Sequence, residues 1–258
     1  MRRTLSLAVA GLLAAGAASA HGEVLARTLE QGAARRSYLL YVPERPAAPA
    51  AGRPLLVALH GGGGTAEQMM AFSRFNRIAA REGFAVAYPQ GVDRRWNDGR
   101  VFRGRGETDA DDVAFVRAMA ADLGPRCAPT APVAVLVING TADPLVPYAG
   151  GHVRAMFGLR GEIWSTDRTI AFWARHNGCA APPVVRALAD RDTGDGSHVI
   201  ETDHGRCAAA RVRLLRVEGG GHTWPGGAQY LPAAWIGTTN RDIDASETIW
   251  RFFASAAR

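Results

Sequence analysis

Residues 55–64, Leu55-Leu56-Val57-Ala58-Leu59-His60-Gly61-Gly62-Gly63-Gly64, decide the fold. Five apolar residues without a polar interruption read as a buried strand, and the glycine run turns that strand into a loop. Downstream, residues 65–81 carry Met69, Phe72, Phe75, Ile78 and Ala79 at helical spacing, and Gly83 stops the pattern. Phe84 to Tyr88 predicts the next strand. Asp109 to Leu123 predicts a second helix, with an acidic first turn and Val113, Val116, Met119 and Ala120 on its apolar side. Upstream, Ser37 to Val42 reads as a strand closed by Pro43. Strand, helix, strand and helix in this order predict an α/β fold, a mainly parallel sheet with helices on both faces.

The second half continues the alternation. Val133 to Ile138 predicts a buried strand that ends in the loop Asn139-Gly140-Thr141-Ala142-Asp143-Pro144. Ser165 to His176 predicts a helix capped by Ser165 or Thr166. Val184 to Leu188, Val199 to Thr202 and Val212 to Val217 read as strands, and Asp244 to Phe253 as a closing helix. No repeat and no linker divides the chain, so residues 21–258 are expected to form one domain.

The first twenty residues have the layout of a secretory signal. Arg2 and Arg3 precede an apolar stretch from Leu5 to Ala17, and Ala18-Ser19-Ala20 is an A-x-A cleavage site. The expected location is therefore periplasmic or extracellular, and no later apolar run is long enough for a membrane anchor. All thirty basic residues are arginine, which excludes a catalytic lysine or Schiff base. The arginines are scattered, so the net charge of +6 gives no basic patch and no nucleic-acid partner is expected. His152, His176, His198 and His204 lack metal-ligand spacing; no metal and no other cofactor is expected. In an exported chain Cys179 and Cys207, which flank a turn and short strands, are expected to pair and leave Cys127 over.

Three loops follow strand ends, where an α/β sheet places its site. The glycines at 61–64 let backbone N–H groups approach a developing oxyanion, although a glycine run alone is also a common turn. A carboxylate at Asp143 can orient a histidine, although Asp-Pro is also a frequent turn pair. His222 stands in Gly219-Gly220-Gly221-His222-Thr223-Trp224-Pro225-Gly226-Gly227, and an imidazole on such a loop suits a general base better than a chance surface position.

Together the motifs resemble the exported esterases of polyhydroxybutyrate depolymerase-like and feruloyl esterase-like type. The likeness rests on Leu59 to Thr65, Tyr88-Pro89-Gln90-Gly91, Trp96-Asn97, Asp111 to Phe115, Asn139 to Tyr148, Phe172 to Cys179 and Gly219 to Gly227. The resemblance implies an α/β-hydrolase fold, carboxylic ester substrates, small or polymeric, and a Ser-Asp-His triad. It implies Asp143 as triad acid, His222 as base, and Gly61, Gly62 and Gly63 as the oxyanion hole. Trp96 and Trp224 are the expected substrate contacts, with Trp235 a third aromatic candidate and core packing the alternative for each.

The serine this pattern requires is absent. The family's G-x-S-x-G elbow should lie between the helix ending near Leu123 and the strand leading to Asp143. That interval is only Gly124-Pro125-Arg126-Cys127-Ala128-Pro129-Thr130-Ala131-Pro132. None of Ser6, Ser19, Ser37, Ser73, Ser165, Ser197, Ser246 or Ser255 lies in a G-x-S-x-G frame, and Cys127 follows no strand from which to act as nucleophile. The expected loss is the nucleophile strand, its helix and the next strand, roughly 50 to 70 residues at ordinary element lengths. The resemblance places the partner of Cys127 just after the missing helix, which agrees. Loss of two central strands predicts a destabilised or partly molten product, or a sheet that re-pairs. Three functions follow: an esterase by descent that is inactive or impaired, a non-catalytic binding protein reusing the cleft, or an artefactual or engineered deletion of an active enzyme.

Overall fold

The computed structural model describes residues 22–31, 34–44, 53–97, 110–123, 133–155, 158–205 and 207–256. The expected signal segment, the short interval 124–132 and Cys127 lie outside the described residues.

The first half contains β1 (Gly22–Gln31), β2 (Ala34–Pro43), β3 (Leu55–Val57), α1 (Ala66–Ser73), α2 (Phe75–Glu82), β4 (Ala85–Pro89) and α3 (Asp112–Leu123). Its four strands form one sheet in the order β1-β2-β4-β3. Strand alternation sorts the side chains onto its two faces. Tyr41, Val86 and Tyr88 pack against Phe75, Ile78 and Ala79 of α2 on one face. Tyr38, Leu40 and Ala87 pack against Phe115 and Met119 of α3 on the other. Helices therefore cover both faces of this sheet, as the periodicity predicted.

The second half contains β5 (Val135–Gly140), β6 (Gly151–Ala155), β7 (Gly158–Ile163), α4 (Thr166–His176), β8 (Val184–Ala187), β9 (His198–His204), β10 (Val212–Glu218), α5 (Ala233–Ile236) and α6 (Ala245–Ala256). The order is β5-β10-β9-β8, with β6 and β7 a separate antiparallel pair. Ile170 of α4 packs on Val212 and Leu214 on one face, and Val199, Leu215 and Val217 form the other cluster. Ser165 caps α4, its Oγ accepting from the Arg168 N–H at 3.2 Å. Cys179 and Cys207 form a disulfide with Cα atoms 3.8 Å apart. Cross-linking residues 28 positions apart stabilises the fold by about 3–4 kcal/mol on the chain-entropy account.

Three expectations need correction. The sheet is not mainly parallel: β3–β4 and β5–β10 are parallel, and the other five pairings among the described residues are antiparallel. Among the described residues both parallel pairs end at an edge, since β3 pairs only with β4 and β5 only with β10. Residues 65–81 are two helices, because Arg74 takes a left-handed conformation (φ 55°) that ends α1 and starts α2. That conformation costs a non-glycine residue about 1–2 kcal/mol, and it accompanies a 2.6 Å bond from the Arg74 guanidinium to the Gly226 carbonyl. In α3, Val113 is 59% exposed and Phe115 takes the buried place instead.

Among the described residues the halves are joined by helices and loops rather than by a ladder. Phe84 stacks on Trp250 of α6 at 4.1 Å, Arg81 pairs with Glu247, and the Ser246 hydroxyl donates to the Ser73 carbonyl. Within the first half, Arg36 and Asp112 form an ion pair at 2.6 Å with side chains 4% and 9% exposed. The guanidinium also lies 4.2 Å from the centre of the Phe115 ring, and the second carboxylate oxygen accepts the Asn97 N–H. Removing one member strands the other charge in the core. Asp112→Ala is expected to lower unfolding free energy in urea by about 3–5 kcal/mol; a change below about 1 kcal/mol would show that the pair behaves as a surface one.

Candidate active site

Parallel pairing of β5 with β10 sets Val217 opposite Gly140, so the loops after the two strands leave side by side. The Thr141 N–H donates to the Val217 carbonyl and the Ala142 N–H to Gly220, carrying the contact past the strand ends. Gly140 is required by that approach: a Cβ there would lie 2.1 Å from the Gly220 oxygen. Gly221 is equally constrained, since its Cβ would lie 2.2 Å from the Ile236 oxygen. The glycines before His222 thus serve close backbone packing, not flexibility.

This crossing brings Asp143 and His222 together. Nδ1 of His222 lies 2.8 Å from Oδ2 of Asp143. A carboxylate only accepts, so the proton is on Nδ1 and the lone pair on Nε2. The other carboxylate oxygen accepts the N–H groups of Leu145 and Val146, each at 2.8 Å. The His222 backbone is fixed as well, its N–H bonded to the Ile236 carbonyl and its own carbonyl to the Tyr230 hydroxyl at 2.8 Å. Burial, and then the negative charge of Asp143, push the Tyr230 phenol above its usual range, which keeps it a donor. The Asp143 side chain is 11% exposed and that of His222 41%. A base so held can accept a proton at Nε2 from solvent or from a neighbouring hydroxyl.

The 60–64 loop is built differently. His60 is 3% exposed, and its Nε2 accepts the Gly91 N–H at 3.0 Å. Its Nδ1 therefore carries the proton and donates to the Gly61 carbonyl at 2.8 Å. Trp96 donates its indole N–H to the His60 carbonyl at 2.8 Å, and Gln90 bridges from His60 to the start of α1 through the Ala66 N–H. The Gly63 and Gly64 N–H groups are used within the structure, by Arg94 and Gly61 carbonyls. Those of Gly61 and Gly62 meet no acceptor among the described residues. An oxyanion here would be met by Gly61 and Gly62, with Gly63 supplying the left-handed turn (φ 84°) instead of a donor.

Trp224 is placed in packing. Its indole N–H donates to Ser246, and its ring meets Phe72 and Phe75 edge-on at 5.9 and 6.1 Å. Trp96 and Trp224 thus both have their polar group engaged internally, and any substrate contact falls to their ring faces. Trp235 is 58% exposed. His60 and Gln90 lie within the motifs quoted from sequence, but their supporting bonds do not follow from that pattern, and Tyr230 carries no sequence signal at all. Among the described residues no group of three or more His, Cys, Asp or Glu side chains could hold a metal.

Residues 36–129 match the family model described as Esterase PHB depolymerase. "Putative esterase NocK" of Nocardia uniformis subsp. tsuyamanensis is 31% identical over 268 residues, 83% of this chain and 77% of that protein. The chain belongs to this esterase family. Feruloyl esterase B of Piromyces equi is 23% identical over 223 residues, covering 66% of this chain but only 39% of that protein. The alignment lengths carry a further fact. Since 83% of 258 residues is about 214, the 268 aligned positions of the first comparison include about 54 for which this chain has no residue. The second gives about 53 in the same way, 223 positions against about 170 residues.

The loop carrying His222 is buttressed by a buried carboxylate. Asp242 accepts from the Asn240 side chain and from the Arg191 and Asp192 N–H groups, while the Asn240 carbonyl accepts the Gly226 N–H. Burial alone would raise the Asp242 carboxyl, but these donors outweigh it and hold it below the usual range. Asp203 is likewise lowered: burial raises it, and Arg213 and Arg211 more than reverse that. A depressed folded pKa adds stability that is complete above the unfolded value of about 4 and is lost as pH falls through the folded value. The urea midpoint is therefore expected to fall progressively as pH drops below about 5, less steeply in Asp242→Asn; an unchanged midpoint between about pH 5 and pH 2 would contradict the assignment.

Proposed function

We propose that this protein is an exported carboxylic ester hydrolase by descent, with Asp143 as acid and His222 as base of a triad whose serine is absent. The single observation that carries the reading is the excess of about 54 aligned positions over chain residues. It falls within the roughly 50 to 70 residues expected for a strand, an elbow with its helix, and a further strand. Two further observations support it. The family match ends at residue 129, inside the short interval 124–132. Among the described residues β3 and β5 are also edge strands, and the family resemblance puts the nucleophile strand between them.

Without that strand the dyad has no hydroxyl to activate and no acyl-enzyme can form through a serine. Esterase relatives point to carboxylic esters, and the names of this family cover polyhydroxybutyrate and feruloyl esters. The ring faces of Trp96 and Trp224 and the amides of Gly61 and Gly62 are the substrate-facing groups in this proposal. Export rests on the charged and apolar pattern of residues 1–20 and agrees with the Cys179–Cys207 disulfide, which an oxidising compartment maintains. No helix among the described residues is long and apolar enough to cross a membrane.

A fluorophosphonate ester tests the reading directly, because it phosphonylates activated serines. The purified chain is expected to remain unlabelled by intact-mass analysis. One phosphonyl group on a serine peptide would contradict the proposal. If the coding DNA between the Gly124 and Pro132 codons encodes a G-x-S-x-G block, the proposal fails as well and the intact gene encodes an ordinary serine esterase.

A further inference from the structure

We propose that the His222–Asp143 pair keeps an activity of its own, the general-base addition of water to activated aryl esters without a covalent intermediate. The inference rests on the functional reading above, since it requires that no serine occupies Nε2. Its physical basis is the state of the imidazole. Asp143 fixes the ring proton on Nδ1 through the 2.8 Å bond, and two backbone N–H groups fix the carboxylate. The main chain of His222 is held on both sides, by Ile236 and by Tyr230. The ring is thus oriented in the manner of a catalytic base, unlike a freely rotating surface histidine.

Nε2 then carries the free lone pair. It meets no partner among the described residues, and the side chain is 41% exposed, so the available hydroxyl donor is water. A positioned general base contributes on the order of 10² to 10⁴ to rate. Without a nucleophile the reaction must also have an easy departure, which selects esters of acidic phenols. In the step, a water oxygen forms a bond to the acyl carbon while Nε2 takes one water proton. The tetrahedral anion then collapses and breaks the bond to the phenolate, which leaves without needing a proton. The imidazolium returns its proton to solvent, and the products are carboxylate and phenol(ate). Charge on the imidazolium is stabilised by Asp143, a positioning residue here, while His222 is the catalytic one.

The test uses the full mature chain with p-nitrophenyl acetate. Release of nitrophenolate is expected at a steady rate from the first turnover, unaffected by prior fluorophosphonate treatment, with a normal solvent deuterium isotope effect. His222→Ala is expected to lose about 10²-fold or fall to the buffer rate, with an unchanged circular dichroism spectrum. Asp143→Asn provides a second variant: its amide can donate to Nδ1 and move the ring proton to Nε2, so the base is lost while the ring stays in place. Equal rates for wild type and both variants would overturn the inference. So would an initial burst with acetylated imidazole, which would make His222 a nucleophile, or the absence of an isotope effect in the wild type. Fluorophosphonate labelling of a serine with loss of the rate would instead overturn the functional reading on which the inference stands.

Discussion

Two backbones cross at van der Waals contact where Gly140 ends β5 and Gly220 follows β10, and the acid–base pair depends on that contact. A side chain at Gly140 would meet the Gly220 carbonyl at 2.1 Å, so any larger residue must push the two loops apart. The six-residue parallel register from Val212 opposite Val135 to Val217 opposite Gly140 delivers both strand ends to the same level. Asp143 and His222, 79 residues apart in sequence, meet as a result. Their bond is therefore a property of sheet geometry first and of the two side chains second.

The glycine loop at 61–64 depends on a different kind of support. A neutral, buried imidazole at His60 holds the backbone from inside, and Trp96 holds it from the other side. Behind them the Arg36–Asp112 pair fixes Asn97, next to Trp96. The 61–64 loop lies in one half and the Asp143–His222 pair in the other, and α6 with the 224–226 loop ties the halves together. Among the described residues no strand joins them. The edges of β3 and β5 are half-buried apolar runs, Leu55 to Val57 and Val135 to Ile138, of the kind that ordinarily lie inside a sheet.

Much of this was legible in the amino-acid order. The aromatic and aliphatic run at 37–42 closed by Pro43, and the apolar runs at 55–59 and 133–138, marked strands because buried strands leave that signature. Asp143 and His222 stood out because each follows such a strand. Other features leave no local trace. The break at Arg74 is a single left-handed arginine inside a continuous helical pattern, set by packing across the chain. β1 alternates weakly, and much of its length is exposed, so pattern alone did not reveal it. The β6–β7 pair is glycine-rich, and the prevalence of antiparallel pairing among the described residues is a property of how strands meet, something no single segment encodes. The glycines before His222 read only as the frame of a loop, whereas in the structure they let backbones touch.

Among the described residues β3 and β5 each have one open side, and on the proposed reading the strand that should bear a nucleophile is missing between them. Amide hydrogen exchange resolved residue by residue tests it most directly. The Ala58 N–H bonds to Ala87 and the Val135 N–H to Arg211, so strand alternation points the amides of Leu56, Val137 and Asn139 inward as well. It points those of Leu55, Val57, Leu136 and Ile138 toward the open sides. The account predicts slow exchange for the inward set and fast exchange for the outward set. Equal protection of both sets would contradict it, because β3 and β5 would then each have a strand on their open side.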